Sequence, residues 1–233
     1  MNHYIIISCL FICSCVSTIP DKYELRLEAI TKELHRTKLI AKNAVGRISK
    51  LENKLSESII ERDRLLIEHK KETSLLRASD AFHKGNNALL TKNYNKAILY
   101  YNKTIELRPT DAHAFNNLGN AYKELNQIYD AINYYERSIA ILPNFAFPYY
   151  NLGLIFHNKR ELLKAIENYE KAININPKYY EAHNNLGGAL QYFGKMNLAI
   201  ESYKRALKIK PDFFDAYINL GVILTELERL NEL

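Results

Sequence analysis

Four asparagines recur at a fixed step of 34 residues: Asn117, Asn151, Asn185 and Asn219. A side-chain amide carries a donor and an acceptor together, matching the two groups of a peptide bond. Repeated along one surface, such amides can hold an extended backbone whatever its side chains. Two parallel rows keep the same step. One reads Asn86, Asn120, Leu154 and Gly188; the other reads Phe82, Asn116, Tyr150, Asn184 and Ile218. Their mixture of amide and aromatic groups suggests a partly apolar, uncharged ligand surface. The candidate binding residues are therefore Asn86, Asn117, Asn120, Tyr150, Asn151, Asn184, Asn185 and Asn219. A second reading stays open, in which the amides bond the neighbouring repeat's backbone and hold the stack together.

Other chemistry is sparse. The chain shows no glycine-rich phosphate loop and no His-Glu-x-x-His helix. Its seven histidines, His3, His35, His69, His83, His113, His157 and His183, are scattered singly, and a lone histidine is more often a polar filler than a base or ligand. Glu167 and Glu170 read as a solvated helix face. All three cysteines, Cys9, Cys13 and Cys15, lie in the first 15 residues, so removal of that segment would leave no thiol. No catalytic residue, metal site or cofactor is expected. One sequon, Asn102-Lys103-Thr104, makes Asn102 a possible glycosylation site, though its position within a helix counts against it.

The elements that must position the asparagines follow from the same period. Leu-Gly recurs at Leu118-Gly119, Leu152-Gly153, Leu186-Gly187 and Leu220-Gly221, with Gly85 one step earlier. Ala97, Ala131, Ala165 and Ala199 keep the step, as do Pro109, Pro143, Pro177 and Pro211. Such a period means small units stacked into a solenoid. The units read as 78–111, 112–145, 146–179 and 180–213, with a partial fifth at 214–233. Each is a helix A, a break and a helix B. In the second unit, Phe115, Leu118, Gly119 and Tyr122 belong to helix A, and the break falls at Leu125-Asn126-Gln127. Ala131, Tyr135 and Ile139 belong to helix B, which Pro143 ends. Gly119 and Ala131 are expected to face each other, where larger side chains would part the helices. Phe115, Tyr149 and Tyr217, with His183 in the fourth unit, are spaced to fill the seams between units.

The spacing Phe115, Leu118-Gly119, Tyr122, Ala131, Tyr135, Pro143, together with its counterparts, resembles the tetratricopeptide repeat over residues 78–233. The resemblance implies a right-handed superhelix of helix pairs whose concave face, lined by A helices, holds a peptide. The asparagine column is similar to that of the tetratricopeptide arm of O-GlcNAc transferase, and the repeats also resemble those of membrane O-mannosyltransferases. In a contrasting variant of the family, paired lysine, asparagine and arginine clamp a carboxylate. Here Asn86 and Asn117 match, but Phe82 and Phe147 stand at the lysine positions and Asn151 at the arginine position, so that activity is not expected. The first unit departs from the pattern at Ala81 and Lys84, as suits a terminal repeat.

Residues 21–77 form a second region with one glycine and no proline. Tyr23, Leu27, Ile30, Leu34, Thr37, Ala41, Ala44, Ile48, Leu51 and Leu55 alternate steps of four and three, a heptad seam. Ile59 and Leu66 fit a frame shifted by one residue, which marks a stutter. A homo-oligomer through 21–77 is expected, with a fold back onto the repeats as the alternative. Residues 1–20 read as a targeting segment, apolar or small from Tyr4 to Val16, so a signal peptide is expected, or a short membrane anchor if residues 4–19 are not cleaved. That places the protein in the secretory lumen or outside the cell.

The net charge of +6 is unevenly spread. Residues 21–77 hold 14 Lys/Arg against 10 Asp/Glu, and residues 78–233 hold 18 against 16, too even a balance for nucleic acid. The sequence therefore reads as all-α: an α-solenoid of helix-turn-helix repeats preceded by a long coiled-coil-like helix. The expected function is non-catalytic, a scaffold that binds protein or peptide segments. A recognition arm of a protein O-glycosyltransferase, or a lumenal co-chaperone, are the alternatives.

Overall fold

A computed structural model describes the backbone over residues 3–231 and the side chains over residues 23–228. The side chains of the targeting segment at 1–20 lie outside the described residues. Among the described residues the elements are helices: α1 His3–Leu90, α2 Tyr94–Leu107, α3 Ala112–Glu124, α4 Ile128–Ile141, α5 Ala146–Asn158, α6 Leu162–Ile175, α7 Tyr180–Tyr192, α8 Met196–Ile209 and α9 Phe214–Asn231. The chain divides into two compact units, Met1–His69 and Lys70–Leu233. Among the described residues no helix is long and apolar enough to cross a membrane.

In the first unit the seam residues keep their side chains in water: Leu27 is 68% exposed, Ile30 65% and Leu51 65%. The second unit is the solenoid. The end of α1, from the fully buried Ala78, serves as its first helix A, and α3, α5, α7 and α9 are the others. From α2 onward each helix packs on its chain neighbours, and the end of α1 meets α2 where Gly85 lies against Tyr101; α3–α5, α5–α7 and α7–α9 touch as well, whereas among the described residues no two B helices do. The A helices thus touch one another along the stack, while each B helix meets only A helices.

The helix ends follow the period. Helices α2, α4, α6 and α8 stop one residue short of a cap at Arg108, Leu142, Asn176 and Lys210, each followed by proline. Helices α1, α3, α5 and α7 are each followed, two residues on, by a left-handed residue: Lys92 (φ 58°), Asn126 (φ 59°), Arg160 (φ 63°) and Gly194 (φ 85°). The next amide reaches back five residues, as in Gln127 N–H to the Tyr122 carbonyl at 2.9 Å, which satisfies carbonyls the helix end would orphan.

Ala97, Ala131, Ala165 and Ala199 are fully buried, as are Tyr101, Tyr135 and Tyr169, with Tyr203 nearly so. The close approach at the Leu-Gly glycines is to these rings. A Cβ added at Gly119 would lie 2.5 Å from the Tyr135 ring, and Gly85, Gly153 and Gly187 meet Tyr101, Tyr169 and Tyr203 in the same way. The tyrosine four residues after the alanine is thus what makes glycine necessary. Of the aromatic seam residues, Phe115 is buried beneath the Arg137 guanidinium, which stands 4.3 Å from its ring centroid. His183 is buried and bonded through Nε2 to the Pro177 carbonyl at 3.1 Å. Tyr217 departs from expectation: it is 53% exposed, because no described helix covers that face of α9.

Candidate functional site: an asparagine ladder on the A helices

The buried tyrosines and the A-helix amides form one recurring motif. Tyr101 Oη donates to Asn86 Oδ1 at 2.7 Å, and Asn117 Nδ2 from the next unit donates to the same oxygen at 3.1 Å. One repeat on, Tyr135 Oη donates to Asn120 Oδ1 at 2.8 Å and Asn151 Nδ2 joins it at 3.0 Å. Two bonds fill an amide oxygen's capacity. Asn151 Nδ2 also donates to Asn116 Oδ1 at 3.2 Å, and Asn116 Nδ2 donates to Asn117 Oδ1 at 3.2 Å. In the first three units, then, the amides bind one another across the seam. Their partners are side chains, not the neighbouring backbone that the alternative reading invoked.

Burial supports this arrangement. Asn116, Asn151 and Asn184 are each less than a tenth exposed, and a buried amide is costly unless paired. Burial also pushes the hydroxyls of Tyr101 and Tyr203 up to about 12 and raises those of Tyr135 and Tyr169, so all four are protonated at neutral pH.

The ladder changes in the last units, where Leu154 and Gly188 replace the row's asparagines. Tyr169 Oη is then buried with no hydrogen-bond partner. Asn185 donates instead to Tyr150 Oη at 2.9 Å and accepts from Asn184 Nδ2 at 3.3 Å. Asn219 Nδ2 donates to Asn184 Oδ1 at 3.0 Å. Tyr203 Oη turns to Gln191 Oε1 at 3.0 Å, and Gln191 Nε2 donates to Glu226 Oε2 at 2.9 Å. A cleft of about 580 Å³ opens here, with Asn184, Asn185, Gly188 and Asn219 in its lining. His157 stands in its wall. Burial, and then the Arg160 guanidinium, hold the imidazole below its ordinary value of 6.5, so it is neutral at pH 7.

All eight predicted residues therefore lie on the A helices, half-buried or buried, and seven hydrogen bonds tie them to one another or to tyrosine hydroxyls. Residues that the sequence did not single out are Gln191 and Glu226. Both fall off the asparagine rows, and only the folded cleft brings them to it. In the sequon Asn102 is partly exposed, while Thr104 is fully buried, with Oγ1 donating to the Tyr100 carbonyl at 3.0 Å. Among the described residues no group of three or more His, Cys, Asp or Glu side chains is arranged to hold a metal ion.

Comparison with known proteins gives a consistent result. A family described as "TPR repeat" matches residues 85–126, 161–191 and 193–227, and "Tetratricopeptide repeat" matches 112–145, together more than half of the chain. None of the curated proteins matches. Among solved structures, MamA is 26% identical with a TM-score of 0.58, covering 67% of this chain and 85% of its own. PilF of Pseudomonas aeruginosa has a TM-score of 0.63 at 17% identity, over 67% of this chain and 72% of its own. YrrB, described as a TPR protein with an unusual peptide-binding site, has a TM-score of 0.54 at 22% identity, over 64% and 76%. The last two share the fold alone. With the 34-residue period, the left-handed helix ends and the tyrosine–glycine contacts in place, the chain belongs to the tetratricopeptide repeat family.

Proposed function

We propose that this protein is a non-catalytic interaction scaffold that holds extended peptide segments against its A helices. The observation that carries this reading is the change in the ladder. In the last units, where Leu154 and Gly188 replace the row's asparagines, Asn185 and Asn219 border an open cleft, and each keeps hydrogen-bonding capacity. YrrB, with its described peptide-binding site on the same fold, supports it by analogy.

The seam at 21–77 supports self-association, and its flanking residues favour a parallel, in-register pair. Steps of four and three place Leu27, Leu34, Ala41, Ile48 and Leu55 at heptad position a, and Tyr23, Ile30, Thr37, Ala44 and Leu51 at d. Parallel pairing sets position g of one chain against e of the next heptad in its partner. That opposes Glu33 to Lys38 and Arg47 to Glu52, both attractive. Between them it opposes Ile40 to Val45, which thickens the stretch where Ala41 and Ala44 leave the seam thin. A dimer would then present two grooves, and joined grooves act together at an effective concentration set by their linkage. The apolar run at residues 4–16 supports export to a secretory lumen, or anchoring if it is retained.

The groove reading is tested by probing a peptide array with the full chain and with an Asn185→Ala/Asn219→Ala variant of unchanged circular dichroism. Loss of most bound peptides in the variant is expected. An identical set of bound peptides would move the binding surface elsewhere.

A further inference from the structure

Gly188 has no packing reason to be glycine. At Gly85, Gly119, Gly153 and Gly187 an added Cβ would collide with a tyrosine ring at 2.5–2.6 Å. At Gly188 the nearest atoms would be His157 Cε1 at 3.4 Å and Tyr203 Oη at 3.8 Å, ordinary contacts that an alanine would satisfy. The residue lies inside α7 with a right-handed backbone, where glycine is less stable than alanine by about 1 kcal/mol. The fold therefore bears a cost here that it does not need. The same row holds Asn86 and Asn120 in the first two units, each closing on a tyrosine hydroxyl. At 188 that closure is missing, and the space it would fill is the floor of the cleft.

The lining says what fits. Besides the amides of Asn185, Gln191 and Asn219 it includes one acidic side chain, Glu226, and neither lysine nor arginine. Gln191 Nε2 donates to one carboxylate oxygen of Glu226 at 2.9 Å, which brings that group to the cleft. Asn219 gives an amide hydrogen to Asn184, and its own carbonyl oxygen has no partner among the described residues. An anionic or purely apolar side chain would leave the carboxylate and amides uncompensated. A cationic donor would match both, and the absent side chain at 188 lets a backbone come close.

We propose that the cleft over Gly188 is a subsite for an extended peptide bearing a lysine or arginine, its cationic end directed to Glu226 and its backbone spanned by Asn185 and Asn219. The proposal rests on the groove reading above and adds the class of segment the groove selects.

The probes are fluorescein-labelled, acetylated and amidated nonapeptides of alanine and serine, with lysine, arginine, norleucine or glutamate at the centre. Their binding to the full chain is read by fluorescence polarisation. The basic peptides are expected to bind about tenfold more tightly than the norleucine and glutamate ones. Gly188→Asn restores the residue type of the first two units, so its thermal midpoint should rise while its affinity for the basic peptides falls about tenfold. Glu226→Gln should erase the preference for lysine over norleucine. If Gly188→Asn binds the lysine peptide as tightly as the native chain, the subsite is overturned while the groove reading stands. If no peptide in the set binds the native chain, both are overturned.

Discussion

Tyr101, Tyr135, Tyr169 and Tyr203 occupy one position in successive units, yet their hydroxyls meet different surroundings. Tyr101 and Tyr135 each donate to an asparagine, Tyr203 donates to a glutamine, and Tyr169, opposite Leu154, donates to nothing. A buried hydroxyl with a partner contributes about 1 kcal/mol net, while an unpaired one costs about 1–3 kcal/mol. Tyr169→Phe is therefore expected to leave the urea midpoint unchanged or raise it. Tyr135→Phe, which strips Asn120 of one of its two bonds, should lower stability by about 1 kcal/mol. Equal losses in the two variants would mean that Tyr169 Oη is paired in solution. The tyrosine row was legible in the sequence as a packing row and the asparagine rows as amide rows. That one pairs with the other was not, because the two lie 15 residues apart on different helices and the bond depends on how those helices face. For the same reason Gly119 was expected against Ala131 and is found against Tyr135.

At the scale of the element, the helix pairs were legible because each boundary has a chemical cause at a fixed step. Pro109, Pro143, Pro177 and Pro211 lack the N–H a helix would need, and they end the B helices. The ends of the A helices were less legible, since the position that turns left-handed holds four different residues. Gly194 and Asn126 suit that backbone, but Lys92 and Arg160 adopt it against the clash of Cβ with the following carbonyl, worth roughly 1–2 kcal/mol. The five-residue fold-back, Asn93 N–H to the Ala88 carbonyl at 2.8 Å, holds Lys92 there. Lys92→Gly is accordingly expected to stabilise the chain by about 0.5–1 kcal/mol, the relief of strain being offset in part by the freer unfolded chain. Lys92→Val should destabilise it, because a branched Cβ worsens the clash. Chemical denaturation of the two variants is the check. If both shifted the midpoint the same way, backbone strain at Lys92 would not be the cause.

At the scale of the whole molecule, the proposed pairing through residues 21–77 would decide whether one proposed groove acts or two. Leu27, Ile30, Leu34, Ile48, Leu51 and Leu55 are all more than half exposed, and a stripe of that length left in water is unfavourable by roughly 25 cal/mol for each Å². The charges flanking it select among ways of covering it. A parallel in-register pair opposes Glu33 to Lys38 and Arg47 to Glu52, each a surface pair of modest worth that fixes direction more than affinity. In that arrangement every seam residue meets its own copy. Ile30→Cys, made with Cys9, Cys13 and Cys15 changed to serine, should then oxidise to a disulfide-linked dimer, because side chains at one seam position come within the reach of a disulfide. Leu55→Cys should do the same, and a mixture of the two should yield no crosslink between different variants. Crosslinks formed only in the mixture would reverse the direction. A monomeric mass by equilibrium sedimentation at high concentration would remove self-association altogether, and with it any gain from paired grooves. With the dimer in place, peptides carrying two basic segments should bind more tightly than peptides carrying one. That gain should disappear when Glu33→Lys and Glu52→Lys set like charges against each other across the seam.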